Sequence, residues 1–148
     1  MSDQTLTPYI SVADGAEALA WYADALGATE HVRYVGDDGR IGHAEFAVAG
    51  ATVMLSSAYP EMRVVAPDPE RGWSVALYLE VDDCDGLHER AIAHGATSLM
   101  DPTDKPDGGR RSTLVDPFGH RWMFNQQIGD VVHSDVDGFE VVEPETQA

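Results

Sequence analysis

Two short strings recur along this chain, and their recurrence constrains the fold more than any single motif. Tyr9-Ile10-Ser11-Val12 is answered by Tyr78-Leu79-Glu80-Val81, and Gly27-Ala28-Thr29 by Gly95-Ala96-Thr97, at intervals that differ by one residue. A pattern that returns at one spacing marks a supersecondary unit used twice. In the first unit, residues 7–12 read as a strand, with Pro8 near its start or on an edge. Asp14, with Glu17 three residues on, is a helix-start signal. Ala16, Leu19, Ala20, Ala23 and Leu26 then recur at helical spacing, and Gly27 ends the helix. Strands follow at about 31–35, 41–48 and 52–56, separated by turns at 36–39 and 49–51. The second unit repeats the order: a strand, a capped helix over about 83–94, a strand near 98–100, and a hairpin. That hairpin joins 112–115 to 121–124 through Asp116-Pro117-Phe118-Gly119, in which Pro117 presets φ and Gly119 takes a conformation closed to other residues. The fold class is therefore α+β, with βαβββ modules at 7–58 and 74–127 forming one domain. Residues 59–73, with Pro60, Pro67 and Pro69, read as an extended connector, and 128–148 as an acidic, mobile tail.

Charge narrows the function. A formal net charge of −17 repels phosphate backbones and anionic lipid, so neither nucleic acid nor a membrane surface is an expected partner. The single cysteine, Cys84, excludes an intrachain disulfide and a cysteine-based zinc site. No apolar run approaches a membrane span, and the N-terminus lacks the basic and apolar parts of a signal peptide, which points to a cytoplasmic protein. Residues 135–140 echo a calcium loop but lack its length and glutamate spacing.

The Asp-Pro-x-Gly hairpin resembles the one that closes the repeated module of the vicinal-oxygen-chelate superfamily, which includes glyoxalase I, extradiol dioxygenases and bleomycin-resistance proteins. Trp21-Tyr22-Ala23-Asp24-Ala25-Leu26-Gly27 is similar to that family's aromatic-Tyr-x-x-x-Leu-Gly helix. Gly42-His43-Ala44-Glu45 and Val53-Met54-Leu55-Ser56 resemble a bacterial PhnB-type subgroup. The resemblance implies a curved mixed sheet lining a cavity, helices outside it, and a homodimer that often completes the cavity. It also implies metal-ligand positions near Thr7, Met54, Ala76 and Met123, none of which is His, Asp or Glu. A divalent ion needs several imidazole or carboxylate donors, so no metal or other cofactor is expected.

Strand alternation assigns the faces. Ile10, Val12, Ala44, Phe46, Val48, Val53, Leu55, Leu79, Trp122 and Phe124 read as core. Tyr9, Ile41, His43, Glu45, Met54, Ser56, Tyr78, Arg121, Met123 and Asn125 then face the cavity. Pairing around 49–51 sets Glu45 near Met54 and His43 near Ser56; pairing around 116–119 sets Ser112 near Met123 and Arg110 near Asn125. Each polar candidate also has a structural reading: His43 can simply bond a neighbour, and Glu45 and Arg110 can form an ion pair. His88, His94, His120 and His133 read as surface residues.

Two functions fit. The favoured one is a metal-independent binder of an aromatic or conjugated organic molecule, anchored by a few polar groups in an apolar pocket. The alternative is a glyoxalase-like lyase, isomerase or dioxygenase, with His43 or Glu45 as general base and Arg110 steadying an oxyanion.

Overall fold

The computed structural model describes residues 5–145. Its first module runs β1 (Tyr9–Val12), α1 (Gly15–Leu26), β2 (Thr29–Val35), β3 (Ile41–Val48) and β4 (Ala51–Ser57). The second runs β5 (Leu77–Glu80), α2 (Cys84–Ala93), β6 (Thr97–Asp104), β7 (Gly109–Val115) and β8 (Arg121–Gln127). Both helices start on an aspartate cap: Asp14 accepts from the Glu17 N–H at 3.1 Å, and Asp83 from the Gly86 N–H at 3.0 Å. The strands form two four-stranded mixed sheets, ordered β1-β4-β3-β2 and β5-β8-β7-β6. In each, the first and last strands of the module pair in parallel and the rest antiparallel. This is the expected α+β fold.

One face of each sheet packs on the helices, and both cores merge into a single cluster that includes Val12, Tyr22, Phe46, Leu55, Trp122 and Phe124. The Tyr22 ring stacks on Phe46 at 5.0 Å and tilts against Trp122 at 5.8 Å. The modules are also tied by polar contacts. Trp21 Nε1 donates to the His94 carbonyl at 2.7 Å, and Arg90 Nε to the Asp24 carbonyl at 2.9 Å.

Four local readings need correction. Ile41 does not face the cavity. The β2–β3 register jumps from Tyr34–His43 to Val35–Ile41, skipping Gly42, and this bulge turns Ile41 into the core. The hairpin loop is one residue longer than expected, because the Asp116 N–H donates to the His120 carbonyl at 2.8 Å and Asp116 Oδ1 accepts from the Phe118 and His120 N–H groups. Val115 therefore faces Arg121, and β7 pairs with β8 as Thr113–Met123, Ser112–Phe124 and Arg111–Asn125. The connector is not simply extended: Pro60 and Pro69 each open a short 3-10 turn. Finally, His88 and His120 are not surface residues.

His120 is half-buried, with Nε2 2.8 Å from the Ser11 carbonyl of the other module. His88 is buried under β6, with Nε2 2.9 Å from Ser98 Oγ, which in turn donates to Asp101 at 2.7 Å. Burial pushes the His88 imidazole below its ordinary range, with Asp101 opposing the shift. The unfolded chain thus takes up a proton near its ordinary pKa, about 6.5, that the folded chain accepts only at lower pH. Stability should fall as pH drops through that range, and His88→Gln should flatten the slope between about pH 7 and pH 5. Urea melts of both proteins at several pH values check this; parallel slopes would refute it.

After β8 the chain has no regular element in its described part beyond an isolated Val136–Phe139 bridge. Its first residues attach to the β6–β7 turn: the Ile128 and Gly129 N–H groups donate to the Gly108 carbonyl at 3.0 and 3.1 Å, and the Val132 N–H to the Asp107 carbonyl at 3.1 Å. Among the described residues, no helix is long and apolar enough to cross a membrane.

Candidate functional site

On the face of the first sheet turned away from the core, alternation brings Tyr9, Ser11, His43, Glu45, Met54 and Ser56 together. Tyr9 and Met54 are direct partners across β1 and β4, and Glu45 and Met54 across β3 and β4. Tyr9 is half exposed, His43, Glu45 and Met54 are partly exposed, and Ser56 is buried. His43 Nδ1 lies 2.7 Å from Tyr9 Oη, and Nε2 lies 3.7 Å from Glu45 Oε2. A tautomer protonated on Nε2 satisfies both contacts: Nδ1 accepts from the phenol while Nε2–H faces the carboxylate. The Glu45 contact is longer than a hydrogen bond and acts as electrostatic orientation. The Tyr34 ring packs edge-to-face with His43, their ring centres 5.6 Å apart.

Partial burial, then Glu45 and then Tyr59, push the Tyr9 phenol above its ordinary range. Tyr9 is therefore a neutral hydroxyl at physiological pH, donating to His43 and offering its oxygen to a ligand. The connector builds one wall here. Tyr59, Met62 and Val64 border a cavity of 580 Å³ with Tyr9, Ser11, Gly42 and Ser56. Arg40 clamps that wall, lying over the Tyr59 ring at 3.9 Å and donating to both Glu61 oxygens at 3.0 and 2.9 Å.

The corresponding face of the second sheet carries Tyr78, Glu80, Arg111, Thr113, Met123 and Asn125. Trp122 and Phe124 are buried in the core while Met123 lies on this open face, as alternation from the hairpin requires. Arg111 donates to Asp107 at 2.8 Å and to Asn125 Oδ1 at 3.1 Å, and Asn125 Nδ2 donates to Glu80 at 2.9 Å. The Arg111 guanidinium also sits 5.6 Å from the Tyr78 ring centre. Residues of the tail, including Val132, Val136 and Phe139, border a 720 Å³ depression against Arg111.

Arg110 and Ser112 do not join this group. The longer hairpin loop shifts β7 by one residue, which exchanges its two faces. Arg110 instead donates to Asp85 and Asp104, each at 2.8 Å, and makes no ion pair with Glu45. Ser112 is fully buried, within 3.5 Å of Cys84 Sγ. Arg111 and Thr113 occupy the positions expected for them, and the signal that would have found them is the capacity of Asp116 to hold His120 inside the turn. Arg121 lies elsewhere, at the junction of the modules, in a cavity that also includes Tyr9 and Ser11. Burial pushes the Cys84 thiol up, which makes it a poor nucleophile. Among the described residues, no group of three or more His, Cys, Asp or Glu side chains is placed to hold a metal ion.

Paired βαβββ modules, each with an open face opposite its helix, define a class. The chain belongs to the Glyoxalase/Bleomycin resistance protein/Dioxygenase superfamily, whose model matches residues 3–124. Similar proteins include Mb0911c of Mycobacterium bovis, 35% identical over 132 residues that make up 87% of each chain. Rv0887c of Mycobacterium tuberculosis is also 35% identical over 132 residues, covering 87% of this chain and 78% of its own. Among solved structures, the fold is similar to TioX from Micromonospora sp. ML1, with 24% identity, a TM-score of 0.66, and coverage of 88% of this chain and 99% of that one. The fosfomycin resistance protein FosX from Listeria monocytogenes, solved with Mn(II) and sulfate, shares 15% identity at a TM-score of 0.64, covering 85% and 93%.

Proposed function

We propose that the chain is a metal-independent small-molecule-binding protein of the glyoxalase/bleomycin-resistance type, taking an aromatic or conjugated organic ligand on the open face of its first module. The observation that carries this reading is the Tyr9–His43–Glu45 chain, partly exposed beside Met54 and Tyr34. It offers hydrogen-bonding groups of fixed orientation beside apolar and aromatic surface, the usual composition of an organic-ligand site. His43 and Glu45 are two donors, fewer than the three protein ligands of a catalytic zinc site. A homodimer fits the same reading, because a second copy would cover the open faces and the unpaired edges of β1 and β5. The lone buried cysteine is in keeping with a cytoplasmic location.

A melting screen with an aromatic library, run with and without zinc, manganese, nickel and iron, tests this. Library members should raise the midpoint and the metals should not. One metal bound tightly per chain, lost in both His43→Ala and Glu45→Ala, would refute it. Glu45, which has no hydrogen-bond partner among the described residues, favours the second reading, in which it is the general base of a lyase, isomerase or dioxygenase. Glu45→Gln would then abolish turnover while retaining ligand binding; equal loss of both would refute that role.

A further inference from the structure

Residues 65–75 carry the chain from the first module to the second and border a cavity of 620 Å³ beside the edges of β1 and β5. Tyr9 and Ser11 line it from β1, Val65, Pro67 and Trp73 from the connector, and Arg121 from the head of β8. The second module holds the connector, and a further bond ties that module to the first. Trp73 Nε1 donates to the Gly119 carbonyl at 2.9 Å, and His120 Nε2 meets the Ser11 carbonyl at 2.8 Å. The Pro67 carbonyl packs so closely on Gly119 that a Cβ there would lie 3.2 Å from it. The connector is therefore seated on the hairpin turn, and the cavity beneath it is part of the folded framework.

Its charge is unusual for this chain. Arg33, Arg40, Arg71, Arg110 and Arg111 each have a carboxylate partner, as expected where 26 acidic residues face 9 basic ones. Arg63 and Arg90 also lack a carboxylate partner but are exposed, whereas Arg121 is half-buried and, among the described residues, has no carboxylate partner and no hydrogen-bond partner for its buried Nε. Leaving a half-buried guanidinium unpaired is unfavourable, and an anionic group entering the cavity relieves that cost. Arg71 also borders the cavity but is already held by Asp68 at 3.6 Å. A compound carrying several negative charges would meet Asp68 and the strongly acidic protein with one free guanidinium to compensate. The remaining wall is mostly apolar and aromatic, with Tyr9, Val65, Pro67 and Trp73 prominent and Ser11, Ser74 and His120 its polar members, and the volume suits a ligand of moderate size.

We propose that this junction cavity binds an aromatic monocarboxylate, with the carboxylate on Arg121 and the ring against Trp73 and Tyr9. The inference rests on the reading that an organic ligand binds beside Tyr9, and it adds the ligand's charge and its anchor.

Naphthalene-2-carboxylate and the neutral naphthalene-2-carboxamide, titrated calorimetrically into the full chain, test it. The wild-type protein should favour the acid, and rising ionic strength should weaken the acid alone. Arg121→Gln should cost the acid about ten- to hundredfold in affinity and leave the amide unchanged, while Arg121→Lys should keep part of the preference. Equal affinities for the two probes in the wild type, equal losses in Arg121→Gln, or no saturable binding of either probe would overturn the proposal. Failure of the open-face reading looks different: His43→Ala and Glu45→Gln would then leave both probes unaffected while the acid preference stays with Arg121.

Discussion

Asp116→Ala should destabilise the protein by about 4 kcal/mol and lower its thermal midpoint by roughly ten degrees. The carboxylate is buried and accepts on both oxygens. Oδ2 takes the Tyr22 hydroxyl at 2.6 Å and Trp122 Nε1 at 2.9 Å; Oδ1 takes the Phe118 and His120 N–H groups at 2.9 and 3.0 Å. Tyr22 comes from the first module and Trp122 from the second, so one side chain both shapes the hairpin and joins the two cores. Burial first, and Asp116 second, hold the Tyr22 phenol well above its ordinary range, so it remains a donor. Removing the acceptor leaves two buried aromatic donors without partners. Asp116→Asn should be nearly as damaging, since its amide can accept from one pair of donors but presents N–H groups to the other. Denaturant melts decide the matter, with Tyr22→Phe as the mild control. A loss for Asp116→Ala no larger than that of Tyr22→Phe would mean that water replaces the carboxylate.

Ser57→Ala should cost about 3 kcal/mol, a large effect for the loss of one oxygen atom. Ser57 is buried at the end of β4, and its Oγ accepts from the Gly15 N–H at 3.1 Å and the Ile41 N–H at 2.9 Å. Those groups open α1 and β3, so the hydroxyl satisfies two backbone donors that have left water. The same spot leaves no room at residue 15: a Cβ there would lie 2.8 Å from Ile41 Cβ and from Ser57 Oγ. Gly15→Ala should therefore also destabilise, through crowding and through displacement of that hydroxyl. Ser56→Ala, which loses only a 3.3 Å contact with Ser11, should do much less. Chemical melts of the three variants would show the order; Ser57→Ala equal to Ser56→Ala would refute the argument.

The elements and their order were legible because each carries its own local signal. Asp14 and Asp83 cap helices by the chemistry of a carboxylate one turn ahead of free N–H groups, and Gly27 ends α1 at a φ of 67°. Alternation in β3 and β8 placed Phe46, Trp122 and Phe124 in the core and Glu45 and Met123 on the open face. The Tyr9–His43–Glu45 grouping followed from the same rule together with the short turn at 49–51. Where the site departs from strand alternation, a single extra or skipped residue is responsible. Gly42 bulges and sends Ile41 inward, and His120 stays in its turn and sends Arg111 to the face expected for Arg110.

The sequence by itself determined the two βαβββ units, their helix caps, the core faces of most strands, and the acidic surface. These depend on nearest neighbours and on periodicity, which are written along the chain. Tertiary structure decided the register of β7 against β8 and the burial of His88 beneath β6. It also decided how Asp116 links the two modules and how the connector is seated over Arg121. The register turns on how Asp116 holds His120 within one turn, where several loop lengths compete; the others depend on groups farther apart in sequence, and only folding brings those within reach of one another.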